Sequence, residues 1–82
     1  MIALEQKFEV LLDELSQSLT AADVEQIQEL VHANELGVAF ENLCTQLYER
    51  AAVCSLEQID RIAEIGNAMA IDSTYWQNLP TA

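Results

Sequence analysis

The stretch that decides the fold is LGVAFENLCTQLYE, residues 36–49. Its apolar side chains recur at steps of three and four residues, which places them on one face of a helix. The members of this face are Leu36, Ala39, Phe40, Leu43, Cys44 and Leu47. We predict a helix that begins near Leu36 and fades near Arg50. Gly37 falls in its first turn, where a glycine either costs little or lets a neighbouring helix approach closely.

Two further helices are predicted upstream. The apolar residues of the first share an arc of about 100° and indicate a one-sided helix from about residue 3 to 18; they are Leu4, Phe8, Leu11, Leu12, Leu15 and Leu19. Thr20 then precedes Asp23 by three residues, a weaker relative of the capping box that starts a second helix. Asn34 ends this helix, since asparagine tolerates the left-handed conformation of a helix C-terminus.

The downstream part predicts one more helix and a short final turn. Ser55 and Gln58 form a capping box at the start of a helix from 56 to about 70. Its wide apolar stripe comprises Leu56, Ile59, Ile62, Ala63, Gly66, Met69 and Ala70. Asp72 caps a last turn from Ser73 to Leu79, and the apolar connector 51–54 is expected to pack over the core. The sequence thus predicts one all-α domain over residues 1–82, a small four-helix bundle with a short C-terminal helical turn.

Composition agrees with this fold class. With only two glycines and one proline in 82 residues, the chain lacks the turn residues that an all-β domain requires. A hydrophobic fraction of 51% is too high for a disordered chain. No apolar run is long enough to span a membrane, and the N-terminus lacks a secretory signal, so a cytoplasmic location is expected.

The net charge is −11, because fourteen acids face three bases. This excludes direct binding to nucleic acid, since no basic patch is present to neutralise phosphates, and it argues against an anionic membrane surface. A negative body attracts a basic partner at a distance and speeds their encounter. Solubility alone is the alternative explanation of the charge.

No residue pattern predicts a catalytic, cofactor or metal site. His32 has no specified acid–base partner and suits a helix C-terminus. Cys44 lies on an apolar helix face, whereas Cys54, in the connector, could be reactive; a zinc site is not expected from two separated cysteines. No calcium-binding loop is present, and the Asp-Ser-Leu motif of acyl carrier proteins is missing. We expect a protein that binds without catalysis.

Two sequence features instead indicate a binding face. Glu9/Asp13, Glu25/Glu29 and Asp60/Glu64 are like-charge pairs four residues apart, which destabilise a helix slightly. Val10, Val38 and Ile65 fall outside the predicted buried arcs. Local inconsistencies of this kind mark surfaces kept for a partner, unless the apolar residues meet the connector or the C-terminal turn.

A family resemblance is carried by three segments. These are residues 36–49 quoted above, IDRIAEIG at 59–66 and DSTYW at 72–76. In this order and spacing they resemble the MafI family of bacterial immunity proteins, over most of the chain from the second helix to Trp76.

The resemblance implies a small cytoplasmic antitoxin of a bacterium. Its partner would be the C-terminal domain of a polymorphic or contact-dependent toxin, often a ribonuclease and in several cases EndoU-like, bound one to one. A ribonuclease cleft is basic because it holds RNA phosphate, and an acidic body fits it. The alternative is an acidic adaptor or regulatory subunit that docks on a basic partner without inhibiting it.

Six residues are the candidates for partner contact. They are four acids on predicted outward faces and two tyrosines, namely Glu25, Glu29, Glu41, Glu49, Tyr48 and Tyr75. Tyrosine and tryptophan are enriched in binding hot spots. Trp76 could serve as such an anchor too, but we favour a place in the core for it.

Overall fold

The computed structural model describes residues 3–82 and contains four α-helices. They are α1 (Leu4–Leu15), α2 (Ala21–His32), α3 (Leu36–Glu49) and α4 (Leu56–Ala68). The predicted all-α class and the four helices are confirmed. Only boundaries differ, because α1 gives way to a 3₁₀ turn at Ser16–Ser18 and the C-terminal 3₁₀ turn covers only Ser73–Tyr75.

The two predicted capping boxes form at the starts of α2 and α4. The backbone N–H of Asp23 donates to Thr20 Oγ1 at 3.1 Å, and the N–H of Thr20 donates to Asp23 Oδ2 at 3.1 Å. Ser55 and Gln58 exchange the same two bonds, at 2.9 and 3.1 Å. Each box satisfies two backbone donors that a helix start leaves without intrahelical partners.

Helices α2, α3 and α4 all end in the same left-handed turn. Asn34, Ala51 and Ala70 have φ values of 62°, 50° and 56°. In each case two backbone bonds close the turn, for example from Ala52 N to Leu47 O and from Ala51 N to Tyr48 O, both at 3.0 Å. This is the Schellman arrangement, which satisfies carbonyls at the helix end. The stop at Asn34 is confirmed, but alanine gives no sequence signal for the other two.

Ion pairs show that α1 and α4 are antiparallel. Lys7 Nζ lies 3.1 Å from Glu64 Oε1, and Arg61 Nη1 donates to Glu14 Oε1 at 2.7 Å. The later residue of α1 therefore pairs with the earlier residue of α4. In the same way Arg50, directly after α3, reaches back to Asp23 in the first turn of α2, so α2 and α3 are antiparallel as well.

The core is organised around the ring of Phe40. The ring packs in a T-shaped arrangement with Phe8 of α1, ring centroids 6.4 Å apart, and with Trp76, centroids 5.7 Å apart. Trp76 is buried, so the core placement favoured from the sequence is confirmed. The tryptophan attaches the C-terminal segment to the bundle, which positions the groove described below.

Trp76 packs directly against Gly66 of α4, where no side chain stands in its way. A Cβ atom at this position would lie 2.6 Å from Cη2 of Trp76 and 2.9 Å from Cζ of Phe40, closer than packed carbon atoms approach. A Cβ at Gly37 would meet nothing within 4 Å. The close approach that a glycine allows therefore occurs at Gly66 and not at Gly37.

Four predictions about individual side chains are wrong. Ala70, predicted on the apolar stripe of α4, is exposed in the left-handed turn after that helix. Ile65 is buried rather than outward, because α4 is covered both by α1 and by the C-terminal turn and so has a wider buried face than one arc. Leu56 is 66% exposed, because the apolar stripe continues into the first turn of α4 where no neighbour covers it. Cys54 is fully buried, so the connector does not present its thiol. Val10 and Val38 are exposed as expected.

The two glycines give a matched pair of variants. In helices generally, replacing glycine by alanine stabilises by about 1 kcal/mol. Because Gly37 lies in the first turn of α3 and not in the helix interior, we expect a smaller gain, below about 1 kcal/mol, for Gly37→Ala. Gly66→Ala should instead destabilise by about 1–3 kcal/mol because Trp76 must move. Urea unfolding followed by circular dichroism measures both. An equal gain for the two variants would contradict the close packing of Trp76 on Gly66.

Candidate partner-binding surface

All three bases of the chain are engaged in ion pairs between helices. Lys7 and Arg61 connect α1 with α4, and Arg50 connects the end of α3 with α2. Together they contact four of the fourteen acids, namely Glu14, Asp23, Glu57 and Glu64. Within residues 3–82 the other acids have no lysine or arginine within ion-pair distance, so the exposed field of the protein is negative.

The pair between Arg50 and Asp23 is the most buried of these contacts. Arg50 Nε donates to Asp23 Oδ2 at 2.6 Å, and the Asp23 side chain is only 11% exposed. This hydrogen bond lowers the pKa of Asp23 below its ordinary value, and the capping bonds with Thr20 act in the same direction. Arg50 is thereby held on α2 and forms no ion pair with the adjacent Glu49. The pKa of Arg50 is raised first by its hydrogen bond to Asp23 and also by the nearby charge of Glu49, so the two neighbours still attract each other.

Three of the six candidate residues come together at the end of α3. Tyr48, Glu49 and Tyr75 line one open groove of about 310 Å³ between α3 and the C-terminal segment. Tyr48 is 62% exposed and Tyr75 is 40% exposed, so both present aromatic surface to solvent. We call this the tyrosine groove.

The base of the tyrosine groove is apolar and its edges are polar. Cys44 and Leu79 line it and are themselves almost fully buried. Polar side chains complete the lining, namely Thr45, Glu49, Thr74 and Asn78. Glu49 is the only charged residue among them. The groove therefore combines aromatic faces, hydrogen-bonding groups and a single negative charge.

The other three candidates do not line this groove. Glu25 and Glu29 are exposed on α2, and Glu41 is half-buried on α3. The predicted outward position is confirmed for Glu25 and Glu29, and only in part for Glu41. They contribute to the negative field around the protein.

Neither cysteine is placed for nucleophilic chemistry. Burial raises the pKa of the Cys44 thiol to about 12, and burial also raises the pKa of Cys54. Both thiols are therefore protonated at neutral pH, and a protonated thiol is a poor nucleophile. The structure places no disulfide between them.

A second groove, which the sequence analysis did not identify, lies between α1 and α4. It has a volume of about 220 Å³ and is lined by Lys7, Val10, Arg61, Glu64 and Ile65. Its two bases form the ion pairs that join the helices, so its lining carries more positive than negative charge. In the sequence, the indication of this groove was Val10, an apolar residue outside the predicted buried face.

His32 is exposed and its Nε2 lies 3.1 Å from Glu9 Oε1 of α1. The contact joins the end of α2 to α1 and supports the structural interpretation of this histidine. Within residues 3–82, no group of three or more His, Cys, Asp or Glu side chains could hold a metal ion. In the same part of the chain, no helix is both long and apolar enough to cross a membrane.

Comparison with protein-family models, curated proteins and solved structures gives no match to this chain. The resemblance to the MafI family therefore rests on the residues quoted from the sequence and stays a prediction.

The lowered pKa of Asp23 leads to a pH-dependent contribution to stability. A carboxyl group whose folded pKa is depressed stabilises the fold at any pH above its unfolded pKa of about 3.9. That contribution is lost as the pH falls through the lower folded pKa. We expect Asp23→Asn to be less stable than wild type at pH 7, and the difference to shrink as the pH falls below about 4.

Urea unfolding of both proteins across this pH range measures the difference. Glu25→Gln is the matched control, because Glu25 is exposed on the same helix and has no lysine or arginine partner in the described part of the chain. A stability difference for Asp23→Asn that is the same at every pH would show that the ionised pair with Arg50 does not stabilise the fold.

Proposed function

We propose that this protein is an immunity protein, which binds and neutralises the C-terminal toxin domain of a contact-dependent or polymorphic toxin. The toxin domain is a ribonuclease, EndoU-like in keeping with the resemblance to the MafI family. Complex formation is one to one and involves no catalysis by the immunity protein. It acts in the bacterial cytoplasm, where the toxin would otherwise cleave RNA.

The observation that carries this proposal is that all three bases are engaged in ion pairs within the protein. Lys7, Arg50 and Arg61 all form ion pairs between helices. Among the residues that the structure describes, the remaining acids therefore have no lysine or arginine partner, and their negative charge dominates the electrostatic field of the protein. A ribonuclease must attract RNA phosphate and therefore has a basic cleft. A small rigid body of net charge −11 is complementary to such a cleft and competes with RNA for it.

The tyrosine groove is a second observation that supports the proposal. Tight protein complexes depend on a few buried anchors, often tyrosine, surrounded by contacts that exclude water. Tyr48 and Tyr75 are exposed in the free protein and adjoin Glu49, so a partner that covers the groove buries aromatic surface and pairs one charge. In this proposal the acids of α2 add long-range attraction.

Protection of growing cells is the direct test. Cells that express the toxin domain encoded immediately upstream should grow when this protein is co-expressed, and toxins of unrelated sequence should not be neutralised. Calorimetry with a catalytically inactive toxin domain should give a nanomolar Kd or lower. Binding without restored growth would favour the adaptor function instead, and the absence of both would exclude immunity.

The contribution of charge is measurable in the association rate. Raising the salt concentration from about 50 to about 500 mM should slow association by about tenfold or more, because long-range attraction is screened. Each of Glu25→Lys, Glu29→Lys, Glu41→Lys and Glu49→Lys should slow it at low salt. Glu49→Lys should in addition raise the dissociation rate, since Glu49 adjoins the groove.

Asp13→Lys on α1 is the control for Glu49→Lys, because it makes the same charge change at an exposed acid outside the tyrosine groove and should leave the dissociation rate unchanged. Stopped-flow measurement with each variant separates the two rates. An association rate that responds neither to salt nor to any of the reversals would mean that the charge serves solubility alone.

A further inference from the structure

The tyrosine groove has the chemistry of a site for a single cationic side chain. Its two exposed rings, Tyr48 and Tyr75, carry negative electrostatic potential on their faces and attract cations. Glu49 supplies the one formal charge, and Arg50 beside it is held by Asp23 at 2.6 Å. The carboxylate of Glu49 therefore has no direct ion pair with its sequence neighbour, although the charge of Arg50 still acts on Glu49, and its hydrogen-bonding positions are open to a ligand.

The polar edge of the groove favours arginine over lysine. Thr45, Thr74 and Asn78 add hydroxyl and amide oxygens that accept hydrogen bonds, next to the Glu49 carboxylate. A guanidinium group is planar, stacks on aromatic rings and presents five N–H donors, so it can use ring faces and several acceptors together. An ammonium group has three donors at one point and is more strongly hydrated.

We propose that the tyrosine groove binds one arginine side chain of the partner protein, with its guanidinium stacked on tyrosine and paired with Glu49. This inference rests on the proposed function, because the partner is taken to be the basic toxin domain. It identifies the short-range anchor of a complex that the overall charge only brings together. The buried Cys44 and Leu79 receive the methylene part of the arginine side chain.

The groove between α1 and α4 provides a contrast within the same molecule. It too has an apolar lining, with Val10 and Ile65, but Lys7 and Arg61 supply two positive charges against the one of Glu64. Both bases are already paired, Lys7 with Glu64 and Arg61 with Glu14, so this groove offers a cation no unpaired carboxylate. If apolar surface alone attracted the ligand, both grooves would bind it equally.

The experiment titrates the free protein with N-acetyl-arginine amide and follows backbone amide signals by NMR. We expect saturable shifts at Thr45, Thr74 and Asn78, and none at Val10. N-acetyl-citrulline amide, which has the same shape without the charge, should bind more weakly, and N-acetyl-lysine amide should lie between the two. Tyr48→Ser and Glu49→Gln should each weaken arginine binding by about two- to fivefold.

Glu5→Gln on α1 is the matched control for Glu49→Gln, because Glu5 is exposed and does not line the groove, and it should leave the affinity for N-acetyl-arginine amide unchanged. Tyr48 and Glu49 are exposed, so neither substitution removes a core contact, and circular dichroism checks that each variant folds. Shifts spread over both grooves, equal binding of citrulline, or a Glu49→Gln variant that binds as well as wild type would each overturn the inference.

Failure of this inference is distinguishable from failure of the proposed function. Restored growth together with unchanged arginine binding in the groove variants would retain the immunity function and remove the arginine site. Conversely, arginine binding by the free protein without protection of toxin-expressing cells would retain the cation site and exclude the toxin as its partner.

Discussion

The contact on which the rest of the structure depends is the packing of Trp76 against Gly66 and Phe40. Because α4 has no side chain at Gly66, the indole reaches Phe40 in the centre of the bundle. This contact holds the C-terminal segment against the helices. It also places Tyr75 beside α3, so a glycine on α4 determines the geometry of a groove that α4 does not line.

The scarcity of bases explains how charge is divided between stability and surface. With three bases for fourteen acids, the chain uses every base where it joins two helices, and the Arg50–Asp23 pair is the most enclosed of these contacts. Exposed acids elsewhere repel one another and cost some stability. A chain selected for stability alone would place lysines among them, so the remaining charge is consistent with a use outside the fold.

Most of the fold could be predicted from the sequence, because helical periodicity and the two capping boxes are local signals. The left-handed turns at Ala51 and Ala70 could not, since alanine rarely adopts that conformation and only tertiary packing imposes it. Burial of Ile65 depended on which elements cover α4. The residues of the candidate site were predicted only one by one. Tyr48, Glu49 and Tyr75 come together because Trp76 packs against Gly66, and no local sequence pattern predicts that contact.

Long-range attraction and selective binding need different parts of this surface. A field from many exposed acids speeds encounter with any basic protein, and because it acts over about 10 Å it does not distinguish one cationic surface from another. Discrimination requires contacts that lose water and fit one geometry. The tyrosine groove is where this acidic exterior offers aromatic faces beside a carboxylate that forms no direct ion pair with the neighbouring Arg50. In the proposed complex, selectivity for the partner would therefore reside at the end of α3, whereas Glu25 and Glu29 on α2 would contribute mainly to the rate of association.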